Sequence, residues 1–132
     1  MDDSCWMQAY ELLKEIVLEE RQKDPAYASR LDILDDLTDY VYDIQGWIED
    51  CLDEMDVRDE WEMLLKMCDE LLAMFAWPGY TGSDLKFKKA VTMRALGQKE
   101  EAMVFCEEWV QEEPENIIAA AAGAYAYCCP AN

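Results

Sequence analysis

The chain has 132 residues, of which 30 are acidic, 11 are basic and none is histidine, so that its net charge at pH 7 is −19. Apolar residues make up 52% of it, which is typical of a folded domain rather than of a disordered acidic chain. The charge disfavours nucleic acids and anionic membranes as partners, because both are polyanions, and the lack of histidine removes the commonest general base and metal ligand.

The first predicted element is a helix over residues 4–22. Ser4 is a candidate N-cap, and apolar side chains recur at three- and four-residue steps, which places them on one stripe. These side chains are Trp6, Ala9, Tyr10, Leu13, Ile16 and Val17. Asp24-Pro25 ends this helix and starts the next, because proline fits the first turn of a helix but not its interior.

A second helical pattern begins at Tyr27 and continues to Met55, with apolar residues at helical spacing throughout. Only Gly46 interrupts it, and glycine costs a helix about 1 kcal/mol relative to alanine. The pattern therefore predicts one long helix, or two helices that join near Gly46. After a polar turn with an aspartate cap, a third helix has an apolar face that extends from Val57 to Phe75.

Segment 77–83, WPGYTGS, is predicted to be a loop, because one proline and two glycines within so few residues cannot sustain a helix. Beyond it we predict a fourth helix that Gly97 ends, a fifth over residues 99–112, and a last one over residues 116–129, after Pro114. No segment alternates with a period of two, so no sheet is expected. The sequence thus predicts a single all-α domain of about six antiparallel helices.

Charge is distributed unevenly along this domain. Residues 1–80 hold 22 acidic and 6 basic side chains, whereas residues 81–132 hold 8 and 5. We therefore distinguish an acidic helical part, 1–76, from the part after the loop, 84–132. No apolar run reaches the ~20 residues that span a bilayer, and the N-terminus lacks the features of a signal peptide. A cytoplasmic protein with reduced cysteines is therefore expected.

Residues 84–116 resemble a tetratricopeptide repeat (TPR), a helical hairpin of about 34 residues whose two helices touch through small side chains. Ala90 stands where that family has glycine or alanine, Leu96-Gly97 matches its turn, Ala102 lies at the start of its second helix, and Pro114 follows at the family's distance. The departures from the family pattern are Lys86, Lys89 and Cys106. The resemblance implies TPR-like hairpins stacked as a right-handed α-α superhelix.

The resemblance also implies a concave surface lined by the first helix of each hairpin. That surface would present Asp43, Asp50, Asp53 and Glu54 from a degenerate preceding unit, Phe87, Val91 and Arg94 from the clear hairpin, and Ala121, Tyr125 and Cys128 from the last helix. An acidic stretch that leads into an aromatic one suits a cationic, partly apolar peptide. The function it implies is a non-enzymatic protein- or peptide-binding scaffold, such as a small acidic adaptor or chaperone.

The last predicted helix is apolar on every side and too short to cross a membrane, so its outer face is expected to pack against another protein surface. Either two chains cover each other there or further repeats follow, and we favour a homodimer. The self-association surface would consist of Ile117, Ile118, Ala121, Tyr125 and Tyr127.

Two further functions stay open. Asp35, Asp39 and Asp43 recur at four-residue intervals and could hold a divalent cation, as in a metal-dependent hydrolase or a metal-binding protein. Such cations usually need a loop with converging carbonyl oxygens, so a solvated acidic face is favoured over a metal site. The other function is a structural dimerisation module. The sequence predicts no catalytic residue and no cofactor.

Overall fold

The computed structural model describes residues 3–128. Seven helices occur in this part of the chain and no strand does, which confirms the all-α class. The helices are α1 (Asp3–Lys23), α2 (Ile33–Asp36), α3 (Ile44–Val57), α4 (Trp61–Met74), α5 (Ser83–Ala95), α6 (Lys99–Glu112) and α7 (Ile117–Cys128). The predicted cap by the Ser4 side chain and the predicted helix end at residue 129 lie outside the described residues.

The chain falls into two compact units. The first unit comprises the residues up to Asp59 together with Met74–Ala76, and the second comprises Glu60–Ala73 and the residues from Trp77 onward. Most of α4 therefore belongs to the second unit, although it precedes the 77–83 loop in sequence.

In the first unit, α1 and α3 pack against each other. The buried side chains at this contact are Tyr10 and Val17 of α1, and Ile48, Cys51, Leu52 and Met55 of α3. Their spacing of three, four and seven residues places each set on one face of its helix. Near the start of each helix, the rings of Trp6 and Trp47 stack with centroids 6.2 Å apart.

Arg21 fixes the corner that follows α1. Its Nε and Nη2 atoms donate hydrogen bonds to the backbone carbonyls of Tyr27 (3.0 Å) and Ala28 (2.7 Å). Its guanidinium group also lies over the Phe75 ring, 5.1 Å from the centroid. The Arg21 side chain thus supplies hydrogen bonds to backbone carbonyls of the turn, which lie outside any helix.

The predicted helix from Tyr27 to Met55 is wrong over its first half, where only the single turn α2 is helical. Asp39 and Tyr40 adopt left-handed backbone conformations, with φ of 52° and 60°, which end that turn. The Asp35 carboxylate then accepts a hydrogen bond of 2.6 Å from the Ile44 N–H, at the first residue of α3. Side-chain hydrogen bonds to the backbone compete with the helix here.

Gly46 lies in the first turn of α3 and does not join two helices. The Asp43 carboxylate accepts a hydrogen bond of 2.9 Å from the Gly46 N–H and so caps α3. A Cβ at position 46 would lie 2.2 Å from Asp43 Oδ2, so only glycine leaves room for this cap. The predicted junction of two helices near Gly46 is therefore wrong, because this glycine belongs to the capped first turn of one helix.

In the second unit, α5, α6 and α7 each pack against the other two. Their shared core contains several small residues and few large ones: Ala90, Met93, Ala102, Cys106, Trp109, Ala119, Ala122 and Ala126 are all buried. Small side chains at helix contacts let two backbones approach closely. The alanines predicted to lie between the helices of the hairpin, Ala90 and Ala102, both lie in this core.

The turn after α5 is a helix C-cap with a glycine in the left-handed region. Gly97 has a φ of 78°, and its N–H donates to the Arg94 carbonyl while the Gln98 N–H donates to the Met93 carbonyl. This pair of hydrogen bonds defines the Schellman motif, in which glycine is the favoured residue. The predicted helix end at Gly97 is therefore confirmed.

The five cysteines that the structure describes are all thiols, and Cys51, Cys68 and Cys106 are completely buried. These three buried cysteines pack as small apolar residues in the helix contacts.

Among residues 3–128, no helix combines the length and the apolar character that crossing a bilayer requires.

Candidate functional site

The helix α7 buries one face and exposes the other. Ala119, Ala122 and Ala126, at steps of three and four residues, form the face that packs against α5 and α6. The opposite face, here named the α7 outer face, consists of Ile117, Ala120, Ala121, Ala124, Tyr127 and Cys128, all of them exposed. Ile117 is 79% exposed and Tyr127 50% exposed. Because α7 contains no charged residue, this surface is apolar along the whole helix.

An aromatic pair borders the α7 outer face. Phe87 of α5 and Tyr125 of α7 lie with ring centroids 6.4 Å apart and planes tilted by 46°. Both are half-buried, as is Val91, one turn along α5. The structure thus brings together two of the residues that the resemblance placed on the concave surface, and tilted pairs of this kind add about 0.5–1.5 kcal/mol to the contact.

The basic residues of α5 are engaged within the second unit. Arg94, predicted to lie on the concave surface, is buried. Lys86 Nζ lies 3.4 Å from Glu113 Oε2 and 5.6 Å from the centre of the Trp109 ring. Lys89 likewise pairs with Asp69 of α4 at 2.7 Å and lies 4.6 Å from the centre of the Phe105 ring.

These contacts explain how Lys86 and Lys89 fit on a half-buried side of α5. Each aliphatic stem is largely buried, while each ammonium group reaches a carboxylate and an aromatic face. The surface formed by Phe87, Val91 and Tyr125 is aromatic and aliphatic, and Lys86 and Lys89 pair with carboxylates of the α6–α7 corner and of α4.

The four acidic residues predicted for the concave surface lie in the first unit and have different environments. Asp43 caps α3, and Glu54 Oε2 accepts a hydrogen bond of 3.0 Å from Arg58 Nε. Asp50 and Asp53 are exposed on α3. Two of the four carboxylates therefore have local structural roles, and two face solvent.

A buried polar network fixes the start of α7, and the sequence had not indicated it. Glu113 Oε1 accepts hydrogen bonds from Trp109 Nε1 (3.0 Å) and from Asn116 Nδ2 (2.9 Å). The Asn116 amide also donates to Ser83 Oγ (3.0 Å). The Pro-Glu-Asn corner was the available signal, since asparagine is a favoured N-cap residue and Asn116 does cap α7 through the Ile118 N–H.

The network also sets the charge state of Glu113. Burial opposes the ionisation of this carboxyl, but the hydrogen bonds from Asn116 and Trp109 and the nearby Lys86 ammonium outweigh it and lower its pKa. Glu113 is therefore a stable anion at neutral pH, and its interactions hold α5, α6 and α7 together at one end.

The buried thiols are poor nucleophiles. Burial raises the pKa of Cys68 to about 12 and that of Cys51 to about 11, and it also raises the pKa of Cys106. At neutral pH these groups stay protonated, whereas a reactive cysteine needs the thiolate.

In the part of the chain that the structure describes, no three side chains of the metal-binding types lie close enough together to hold an ion.

The residues predicted for self-association are found on α7 as follows. Ile117, Ala121 and Tyr127 belong to the outer face, and Ile118, 38% exposed, lies beside it. Tyr125 contacts Phe87, and the Tyr127 hydroxyl donates a hydrogen bond to the Glu107 carboxylate of α6.

No protein-family model, curated protein or solved structure matches this chain.

Proposed function

We propose that this protein is a non-enzymatic, TPR-like helical scaffold that binds another protein or a peptide through the α7 outer face and the adjoining Phe87–Tyr125 pair. The observation that carries the proposal is the exposure of an entire uncharged helix face in a protein of net charge −19. Contiguous apolar surface of this kind commonly marks an interaction site.

Packing in the second unit supports a TPR-like arrangement. In stacked hairpins, the first helix of the next hairpin packs against both helices of the preceding one, and α7 contacts α5 and α6 in this way. The buried alanines and the glycine turn at Gly97 are the features that such a hairpin requires. The three buried thiols suit the reducing cytoplasm, which we propose as the location.

The proposed surface would recognise a partner by apolar contact. Ile117 and Tyr127 are its most exposed large side chains, and aromatic and aliphatic anchors dominate the energetics of protein interfaces. The partner should therefore present an apolar patch or an amphipathic helix to α7.

Affinity capture with a matched pair of variants tests this proposal. Ile117→Asp places a charge on the α7 outer face, and Val57→Asp places the same charge at a side chain that is 80% exposed in the first unit. We expect Ile117→Asp to lose a partner that both the unmodified protein and Val57→Asp retain. Equal recovery of every captured protein by both variants would contradict the proposal.

Self-association is a second use of the same face. Repulsion between two copies is weakest here, because residues 81–132 hold 8 acidic and 5 basic side chains, against 22 and 6 in residues 1–80. Light scattering should then give twice the chain mass of 15.3 kDa, and Ile117→Asp should give the monomer mass. A monomer of the unmodified protein at micromolar concentration would count against the homodimer.

A further inference from the structure

The helix α1 has two apolar faces, and only one of them is used in the first unit. Tyr10 and Val17 form the buried face. Cys5, Ala9, Leu12 and Ile16 form a second stripe, here named the α1 outer stripe, and all four are exposed. Leu12 is 57% exposed and Ile16 is 46% exposed.

The spacing of the α1 outer stripe is that of one face of an α-helix. Its members follow one another at steps of four, three and four residues, an average close to the 3.6 residues of a helical turn, which keeps them on one line along α1 where another helix can pack. The sequence pattern had merged Ala9 and Ile16 with Tyr10 and Val17 into one inner face. The structure separates the two sets, so the apolar residues of the outer stripe cannot be explained as core.

Carboxylates border the α1 outer stripe on the side away from the core. Glu15 and Glu19 are exposed there and lie one turn apart. A shallow open depression surrounds Leu12, lined by Met7, Gln8, Glu11, Leu12 and Glu15. Glu11 pairs with Lys14 at 2.7 Å, and Glu20, one turn after Ile16, pairs with Lys23 at 3.5 Å. Glu15 and Glu19, by contrast, follow Leu12 and Ile16 by three residues each and are exposed.

Charge decides which kind of helix suits this stripe. A second copy of α1 would bring Glu15 and Glu19 against the same residues of an acidic chain, because residues 1–80 hold 22 acidic and 6 basic side chains. Like charges across an interface suppress pairing, whereas a cationic helix would gain attraction along its whole length.

We propose that the α1 outer stripe docks an amphipathic helix of a partner protein whose apolar seam is flanked by lysine or arginine. Leu12 and Ile16 are the apolar anchors of this contact, and Glu15 and Glu19 pair with the partner's cations at its rim. Helix-in-groove recognition of this type uses anchors at three- and four-residue steps, as α1 presents them. This surface lies in the first unit and is independent of the α7 outer face.

The test uses a synthetic 21-residue helix with leucine at the seam positions and lysine beside them, and a matched peptide in which glutamate replaces every lysine. Binding to the full chain is followed by fluorescence anisotropy at physiological salt. The double variant Leu12→Gln/Ile16→Gln removes the anchors without changing charge. Its control, Leu18→Gln, alters a leucine that is 45% exposed on another side of α1.

We expect the lysine peptide to bind, the glutamate peptide not to bind, and the double variant to weaken binding by a factor on the order of ten or more, since two apolar side chains lose their contact. Leu18→Gln and Ile117→Asp should bind as the unmodified protein does. Far-ultraviolet circular dichroism of each variant verifies that its helices are intact.

Four outcomes would overturn the proposal. Undiminished binding by the double variant would mean that the acidic chain attracts cations without docking a helix. Binding of both peptides alike would remove the role of charge. A dimer of the unmodified protein that the double variant converts to monomer would identify a second copy as the occupant. Loss of binding in Ile117→Asp alone would assign the peptide to the α7 outer face instead.

Discussion

The side-chain amide of Asn116 donates a hydrogen bond of 3.0 Å to the hydroxyl of Ser83, 33 residues earlier in the chain, and both side chains are buried. The same Asn116 caps α7 by accepting from the Ile118 N–H at 3.0 Å. One residue therefore joins the first turn of α5 to the first turn of α7. The orientation of the α7 outer face depends on this junction.

Replacing Asn116 by alanine should destabilise the second unit by about 2 kcal/mol or more. The change removes an N-cap and leaves buried polar groups of Ser83 and Glu113 without one of their hydrogen bonds. Urea unfolding followed by circular dichroism measures the loss. Gln98→Ala is the control, because Gln98 stands at the N-cap of α6 but makes no side-chain cap hydrogen bond. An equal effect of both changes would contradict the role assigned to Asn116.

The contribution of Glu113 should depend on pH. Its pKa is lowered in the folded protein, so its interactions stabilise the fold above the pKa of the unfolded chain, near 4.5, and this stabilisation is lost as the pH falls through the lower folded value. At pH 7, Glu113→Gln should cost about 1.5–3 kcal/mol, the range for hydrogen bonds to charged groups.

The measurement for Glu113 is the difference in the free energy of unfolding between the two proteins, taken from pH 7 down to pH 3. Taking the difference cancels the repulsion among the other acidic groups, which acid relieves in both proteins. The difference in the free energy of unfolding should shrink below pH 4.5, because the protonated carboxyl of Glu113 and the amide of the glutamine variant are then both neutral. A difference that stays constant over this range would show that the charge of Glu113 contributes nothing.

Two glycines in helices should respond oppositely to alanine. Gly123→Ala should stabilise α7 by about 0.5–1 kcal/mol, since an added Cβ meets no atom within 4 Å and alanine favours the helix. Gly46→Ala should bring no such gain, because its Cβ displaces the Asp43 carboxylate and removes the cap of α3. Thermal unfolding of both variants provides the comparison, and an equal rise in melting temperature would mean that the Asp43 cap is dispensable.

The helix boundaries that backbone chemistry marks could be predicted from the sequence. Gly97 and Pro114 delimit α5 and α6 because no other residue serves a left-handed turn as readily as glycine, and proline cannot continue a helix. Segment 27–43 could not be predicted, since its apolar residues keep helical spacing although Leu37 and Val41 are exposed. The left-handed conformations of Asp39 and Tyr40 end the helix there and the Asp35 and Asp43 carboxylates start the next one, but the apolar spacing shows neither feature.

The candidate surfaces were predictable to different degrees. The apolar character of α7 follows from composition alone; the TPR resemblance placed Phe87 and Tyr125 on one surface, and only the structure shows that their rings are in contact. The burial of Arg94 was not predictable, because a basic residue in the last turn of a helix usually faces solvent. The α1 outer stripe was missed because two adjacent apolar stripes on one helix look like a single wide face in sequence.

The close approach of the helices in the second unit predicts a strong dependence on side-chain size at Ala102. This residue is completely buried in the α5–α6–α7 core, and protein interiors are close-packed. Ala102→Leu should destabilise the protein by about 1–3 kcal/mol, because the larger side chain forces α5 and α6 apart. Ala121→Leu adds the same group on the exposed α7 outer face and should change stability by less than about 0.5 kcal/mol.

Urea unfolding of the two leucine variants, with unchanged dependence on denaturant, tests whether small residues hold the hairpin together. If Ala102→Leu proved as stable as Ala121→Leu, the two helices would not be in backbone contact through their alanines. The TPR-like packing on which the proposed function rests would then lose its physical basis, while the exposure of the apolar face of α7 would be unchanged. The pair of variants therefore separates the packing of the scaffold from the binding that it supports.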